Sequence, residues 1–254
     1  MLTEKKWEPA QVLMLGVLVM LSLCGGVLLA AVAGQLAKPY LTYSNASLMT
    51  LIITALGFQG ASIAWVHFFL LRHQVTWGEA FGFARGNASR CIIVAVASLP
   101  VVLAGVLALS AMSQHILQLL AEYWHVDWLK PKAQSAVELL RQQWPAYLIV
   151  LQGVVTVVLA PIAEEILFRG ILYTVLKQRG HAIAAVSVTS VLFAVIHFYP
   201  VGFLSLIFLS MALIAAYEWT KNLLAPILVH ALFNAINFAV IVAHPKWAET
   251  MFNS

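Results

Sequence analysis

Seven long apolar runs divide the chain, and the polar residues gather almost entirely between them. The runs cover 12–34, 48–71, 91–112, 147–176, 182–198, 201–219 and 224–243. Several exceed the roughly 20 residues that carry a helix across a bilayer core. Inside lipid every backbone N–H and C=O must be paired internally, so helices are the expected spanning form. Ten-residue segments of alternating polarity, as in a membrane barrel, are absent. The pattern predicts an all-α polytopic helix bundle forming a single integral membrane domain over 1–254. The fourth run overruns the bilayer, and Pro161 within it is expected to kink or break the helix. The stretch 113–144 is more polar: 133–143 reads as an amphipathic interfacial helix between Pro131 and Pro145, and an eighth crossing stays open there. Trp124, Trp128, Trp144, Trp219 and Trp247 suit the aromatic belts at the membrane surface. The first run follows Lys5 and Lys6 but is longer than the 7–15 residues of a signal core, so it reads as a retained helix.

Composition sharpens this picture. Hydrophobic residues make up 62% of the chain and charged residues only 9%, against about 25% in soluble domains. The net charge of +4 points to nucleic acid only until the charges are located. They lie between the apolar runs, with no basic stripe interleaved with aromatics, which excludes nucleic acid as a partner class. With the N-terminus inside, one side holds Lys5, Lys6, Arg72, Arg85, Arg90, Lys177, Arg179 and Lys221. The other holds Lys38, Lys130, Lys132, Arg141 and Lys246. This bias predicts a cytoplasmic N-terminus, and a prokaryotic plasma membrane is the expected location. Cys24 and Cys91 form no CxxC pair and read as small buried hydrophobes.

Ionisable groups within spans cost about 2.5–3.5 kcal/mol each on insertion scales and are candidates for function. Glu164, Glu165 and Arg169 lie in the fourth run, His197 closes the fifth, and His230 and Asn234 lie in the seventh. Glu165 and Arg169 are four apart in the acid-first order that favours an ion pair. Glu164 is turned about 100° away and is the freer carboxylate. His230 and Asn234 share a face. Glu164 stands roughly 20 Å of helix from Lys177, Asn234 roughly 20 Å and His230 roughly 14 Å from Lys221, and His197 roughly 24 Å from His181. Groups on three separate helices thus reach similar depths.

Hydrolysis fits this set. A carboxylate in a low-dielectric pocket is suited to act as general base on water. A neighbouring His can hold the same water or pass a proton to the leaving amine, and a second His with an Asn can donate to the oxyanion. Other designs fail by counting. The chain has a single Asp, Asp127, no HExxH, and no GxSxG-like turn, Ser205 lacking the second glycine. His67 reads as a hydrogen-bonded bundle residue, and Glu218 with Lys221 as interfacial.

These residues resemble the signature of the CPBP family, the CAAX-protease and bacteriocin-processing group that includes the type II CAAX prenyl endopeptidases. EExxxR matches Glu164, Glu165 and Arg169; FxxxH matches Phe193 and His197; HxxxN matches His230 and Asn234. The likeness covers 160–237, the expected catalytic core, with a weaker echo at 77–83. It implies Glu164 as the water-activating base with His197 as partner, His230 and Asn234 at the oxyanion, and Glu165, Arg169 and Phe193 in support. It implies metal-free glutamate catalysis and no cofactor. Zinc held by Glu164, His197 and His230 is the minority alternative, allowed by ligand type. The expected function is an intramembrane peptidase acting on a membrane-embedded or lipidated peptide. The alternatives are an inactive scaffold or bacteriocin-immunity-type protein, and a transporter using the same buried charges. Substrate identity and oligomeric state are not legible in the residues.

Overall fold

The computed structural model describes residues 8–126 and 145–243, and among them every regular element is helical. In chain order these are α1 (Pro9–Ala37), α2 (Tyr43–Ala55, continued through a π turn Leu56–Gly60 into Ala61–Arg72), and the short α3 (Trp77–Phe81). Then come α4 (Ala88–Trp124), α5 (Ala146–Gln178), α6 (Ala182–Val195), α7 (Phe203–Thr220) and α8 (Leu224–Ala243). Six of the described helices are long and apolar enough to cross a membrane, and α6 is apolar but shorter. The protein is an integral membrane helix bundle.

The predicted runs and the helices agree except where apolarity and helicity part. The third run ends at 112, yet α4 continues to Trp124, a helix of 37 residues. Residues 113–124 are polar enough to leave the hydrocarbon, but good helix formers such as Gln118, Leu120 and Ala121 keep the backbone coiled. This part of 113–144 is therefore the end of one span. The predicted interfacial helix 133–143, with Trp128, Trp144 and Trp247, lies outside the described residues. The fifth run reaches 198, but α6 stops at Val195 after 14 residues, roughly 21 Å against a core of about 30 Å. Pro200 disfavours helical backbone at Tyr199, and Phe198 has turned left-handed at φ 47°. Irregular backbone at that depth is tolerated where it lines a cavity.

Pro161 does not break α5. The proline lacks an N–H and its ring crowds the carbonyl four residues back. The helix absorbs this by widening into a π turn at Val155–Leu159, then runs regularly over Ala160–Glu165 and widens again over Ile166–Tyr173. Thr174 Oγ1 donates to the Arg169 carbonyl at 2.9 Å within this wider stretch.

Contacts between connections sort the bundle's two ends. Asn87 Nδ2 donates to the Thr220 carbonyl and Leu223 N to the Phe81 carbonyl, both at 2.9 Å. Glu218 takes Lys177 at 2.5 Å together with Lys221. The connections after α2, α5 and α7 therefore share one end, and residues 38–42 lie at the other. At the shared end Thr76 caps α3, and its backbone and side-chain hydrogen bonds hold the exposed Glu79 carboxyl below the usual carboxylate range. His67 accepts from Trp77 Nε1 at 3.1 Å, the bundle role expected of it.

With lipid as solvent, helix association relies on close packing. α1 and α2 cross where a Cβ on Gly26 would stand 2.8 Å from Gly57 Cα. At the end joined by hydrogen bonds, Gly82 has φ 78°, and a Cβ there would stand 2.2 Å from the Lys221 carbonyl oxygen. Gly86 is also left-handed, at φ 66°, with nothing within 4 Å of a built Cβ. Gly82→Ala is expected to lower the thermal unfolding midpoint in detergent clearly more than Gly86→Ala. The two share the strain of positive φ, about 1–2 kcal/mol, and only the first adds a clash with backbone. Equal shifts in a melting assay would remove the close contact from the account.

Candidate active site

Two packed clusters meet at the middle of α5. One includes Val66, Phe81, Ile166, Tyr217 and Leu223; the other includes Phe168, Phe193, Leu213, Ala225 and Val229. Between them lie the ionisable residues, their depth set by the helices that carry them.

Glu165 and Arg169 are both wholly buried, and Arg169 Nη1 donates to Glu165 Oε1 at 2.9 Å. Arg169 Nη2 donates to the Ser210 hydroxyl at 2.8 Å and its carbonyl at 3.2 Å, which ties α5 to α7. The guanidinium also lies over the Phe193 ring, 4.7 Å from the centroid. Phe193 works three ways: its ring meets the cation, its edge meets His230 at 5.9 Å between centroids, and its carbonyl accepts from His197 Nδ1 at 2.6 Å.

That last bond decides how His197 faces. A carbonyl only accepts, so Nδ1 carries the proton and Nε2 is turned elsewhere. It points at Glu164, with Nε2 to Oε2 at 4.0 Å. His230 repeats the arrangement. Its Nδ1 lies 2.9 Å from Glu165 Oε1, and its Nε2 lies 4.0 Å from the same Glu164 Oε2. Glu164 Oε2 is buried with no hydrogen-bond partner in the protein, although its side chain is 12% exposed. A water about 2.8 Å from two atoms held 4.0 Å apart would subtend roughly 90°, close to its own bond angle. The gap suits one such molecule.

Glu164, Phe193, His197, His230 and Asn234 all line one cavity of about 1050 Å³. Asn234 Nδ2 donates to the Thr156 carbonyl at 2.9 Å, which fixes the amide and leaves its second N–H. The structure thus brings all seven candidate residues into one neighbourhood, with Glu165 and Arg169 behind the cavity wall. Ser210 and Thr156 were not among the candidates. Both lie in apolar runs, and no spacing in the sequence connects either with its partner.

Zinc fits this donor set poorly. Tetrahedral bonds of 2.0–2.1 Å need ligand atoms about 3.3–3.4 Å apart, whereas Glu164 Oε2 stands 4.0 Å from each imidazole nitrogen. Among the described residues no three His, Cys, Asp or Glu side chains converge as a metal site.

Residues 145–236 match the model of the family described as Type II CAAX prenyl endopeptidase Rce1-like. The match bears out the resemblance carried by the three motifs. It takes in the whole of α5, α6 and α7 and runs into α8 as far as residue 236. Rce1-like proteins are described as endopeptidases. No curated protein and no solved structure matches the chain.

Proposed function

We propose that this protein is an intramembrane endopeptidase in which Glu164 activates a water molecule. The observation that carries the reading is the buried, unpartnered Glu164 oxygen facing two imidazole nitrogens at 4.0 Å on the wall of a large cavity. Such an atom is costly unless a donor comes to it, and a water donates there.

In this mechanism the water gives a proton to Glu164 as its oxygen bonds to the scissile carbonyl carbon. His197, held by the Phe193 carbonyl, orients the water through Nε2. The free N–H of Asn234 donates to the oxyanion. His230 becomes a second donor only as imidazolium, since its Nδ1 is committed to Glu165. The proton on Glu164 then passes to the departing nitrogen as the C–N bond breaks, leaving a carboxylic acid, an amine and Glu164 ready to accept another proton.

The direct test reconstitutes the full chain in lipid vesicles with membrane-anchored peptides, prenylated and unprenylated, and reads products by mass spectrometry. A single new carboxyl terminus, absent without protein, supports the reading; no cleavage of either class counts against it. The prenyl comparison asks whether the lipid named in the family description belongs to this chain's substrate. Cleavage is expected to persist after treatment with a strong chelator, with no stoichiometric zinc by elemental analysis. Chelator-sensitive activity restored by zinc would overturn the metal-free form.

A further inference from the structure

The cavity that holds Glu164 has a direction. From Glu164 it follows α5 past Thr156 and Gln152 to Leu148, and reaches Lys38 and Tyr43 beside the 38–42 connection. Glu164 to Leu148 is sixteen residues of helix, roughly 24 Å. Tyr43 is 69% exposed and Lys38 is exposed, so this end meets solvent or headgroups. None of the residues lining the cavity comes from the connections after α2, α5 or α7. That end is shut: Phe81, Arg169 and Leu223 are fully buried behind the site, and the Phe81 ring packs directly onto Gly170.

The basic residues mark the shut end. Arg72, Arg85, Arg90, Lys177, Arg179 and Lys221 lie in or beside its connections. Among the described residues only Lys38 lies at the open end, and the count over the whole sequence runs the same way. Lys and Arg accumulate on the cytoplasmic side of short connections.

We infer that the Glu164 cavity opens to the non-cytoplasmic face of the membrane. The site then draws its substrates from chain segments of exported or membrane-anchored proteins presented at that face. The direction of access stands on geometry and charge alone; the substrate class rests on the peptidase reading. Thr50, Thr54, Gln152 and Thr156 line the route with polar groups, as a path for water and an extended backbone requires.

Thiol labelling tests this in intact cells, on the full chain with Cys24→Ala. Three positions are used: Tyr40→Cys, 86% exposed in the native chain, Ser47→Cys on the cavity wall, and Ser89→Cys at the start of α4. A membrane-impermeant maleimide is expected to label the first two at least tenfold more than the third, and permeabilisation should raise the third to match. Labelling of Ser89→Cys alone in intact cells overturns the inference. Labelled Tyr40→Cys with unreactive Ser47→Cys overturns the open route. In vesicles, a bulky maleimide on Ser47→Cys should cut cleavage of the anchored peptide at least tenfold, and undiminished cleavage also overturns the route. If the unlabelled protein cleaves nothing while the labelling pattern holds, the peptidase reading falls and the orientation stands.

Discussion

Replacing Glu164 with Gln is expected to lower peptide cleavage by about 10³-fold or more while leaving the bundle folded. The change keeps the volume and removes the one group able to accept a proton from the water. General-base catalysis is worth about 10²–10⁴-fold, and here the base also receives the proton that later reaches the leaving amine, so both halves of the reaction suffer. The fold should persist because Glu164 makes no hydrogen bond within the protein through Oε2, and the hydrogen bonds tying α5 to α7 come from Arg169. Turnover of an anchored peptide in vesicles, with detergent size-exclusion to check folding, reads both parts. Wild-type cleavage in Glu164→Gln would remove the carboxylate from the mechanism. A scaffold would keep its function in this variant, and a transporter would show ion flux without peptide cleavage.

Arg169→Met should do the reverse and unfold the protein or nearly so. Arg169 and Glu165 are fully buried, and the guanidinium contacts Glu165, Ser210 and the Phe193 ring. Removing one member of a buried pair leaves the other charged without compensation, at a cost of about 3–5 kcal/mol. Whole domains are stable by only about 5–15 kcal/mol. Taking away both charges together, in Glu165→Gln with Arg169→Met, should recover much of the stability because no lone charge remains. It should not recover activity, since an amide in place of the Glu165 carboxylate leaves His230 without its charged partner. Unfolding by titration with a denaturing detergent compares the three forms. A double variant no more stable than Arg169→Met would mean that the lone Glu165 charge is not what destabilises the single variant.

Much of the candidate site was legible in the residues because polar groups in apolar runs stand out. The i, i+4 spacing of Glu165 and Arg169 is enough to specify their pairing, and the five-residue gap to Arg169 leaves Glu164 free. Equal depths along separate helices anticipated that His197 and His230 would face one carboxylate. Other features stayed out of reach. His197 is oriented by the carbonyl of Phe193, and main-chain groups carry no signature in sequence. His230 is expected at the oxyanion from its motif, but its Nδ1 bond to Glu165 makes donation from Nε2 depend on a proton.

Apolar runs and their spacing determined that this chain crosses the membrane as helices, in what order, and which side chains must find one another inside it. Lipid cannot satisfy a backbone or a charge, so composition alone forces both results. Only the tertiary structure decided where α6 stops, how α5 widens around Pro161, and that the cavity runs toward Lys38 while Phe81 and Leu223 close the opposite end. Those outcomes come from van der Waals contact between segments far apart in the chain, and such contact leaves no period or spacing to read.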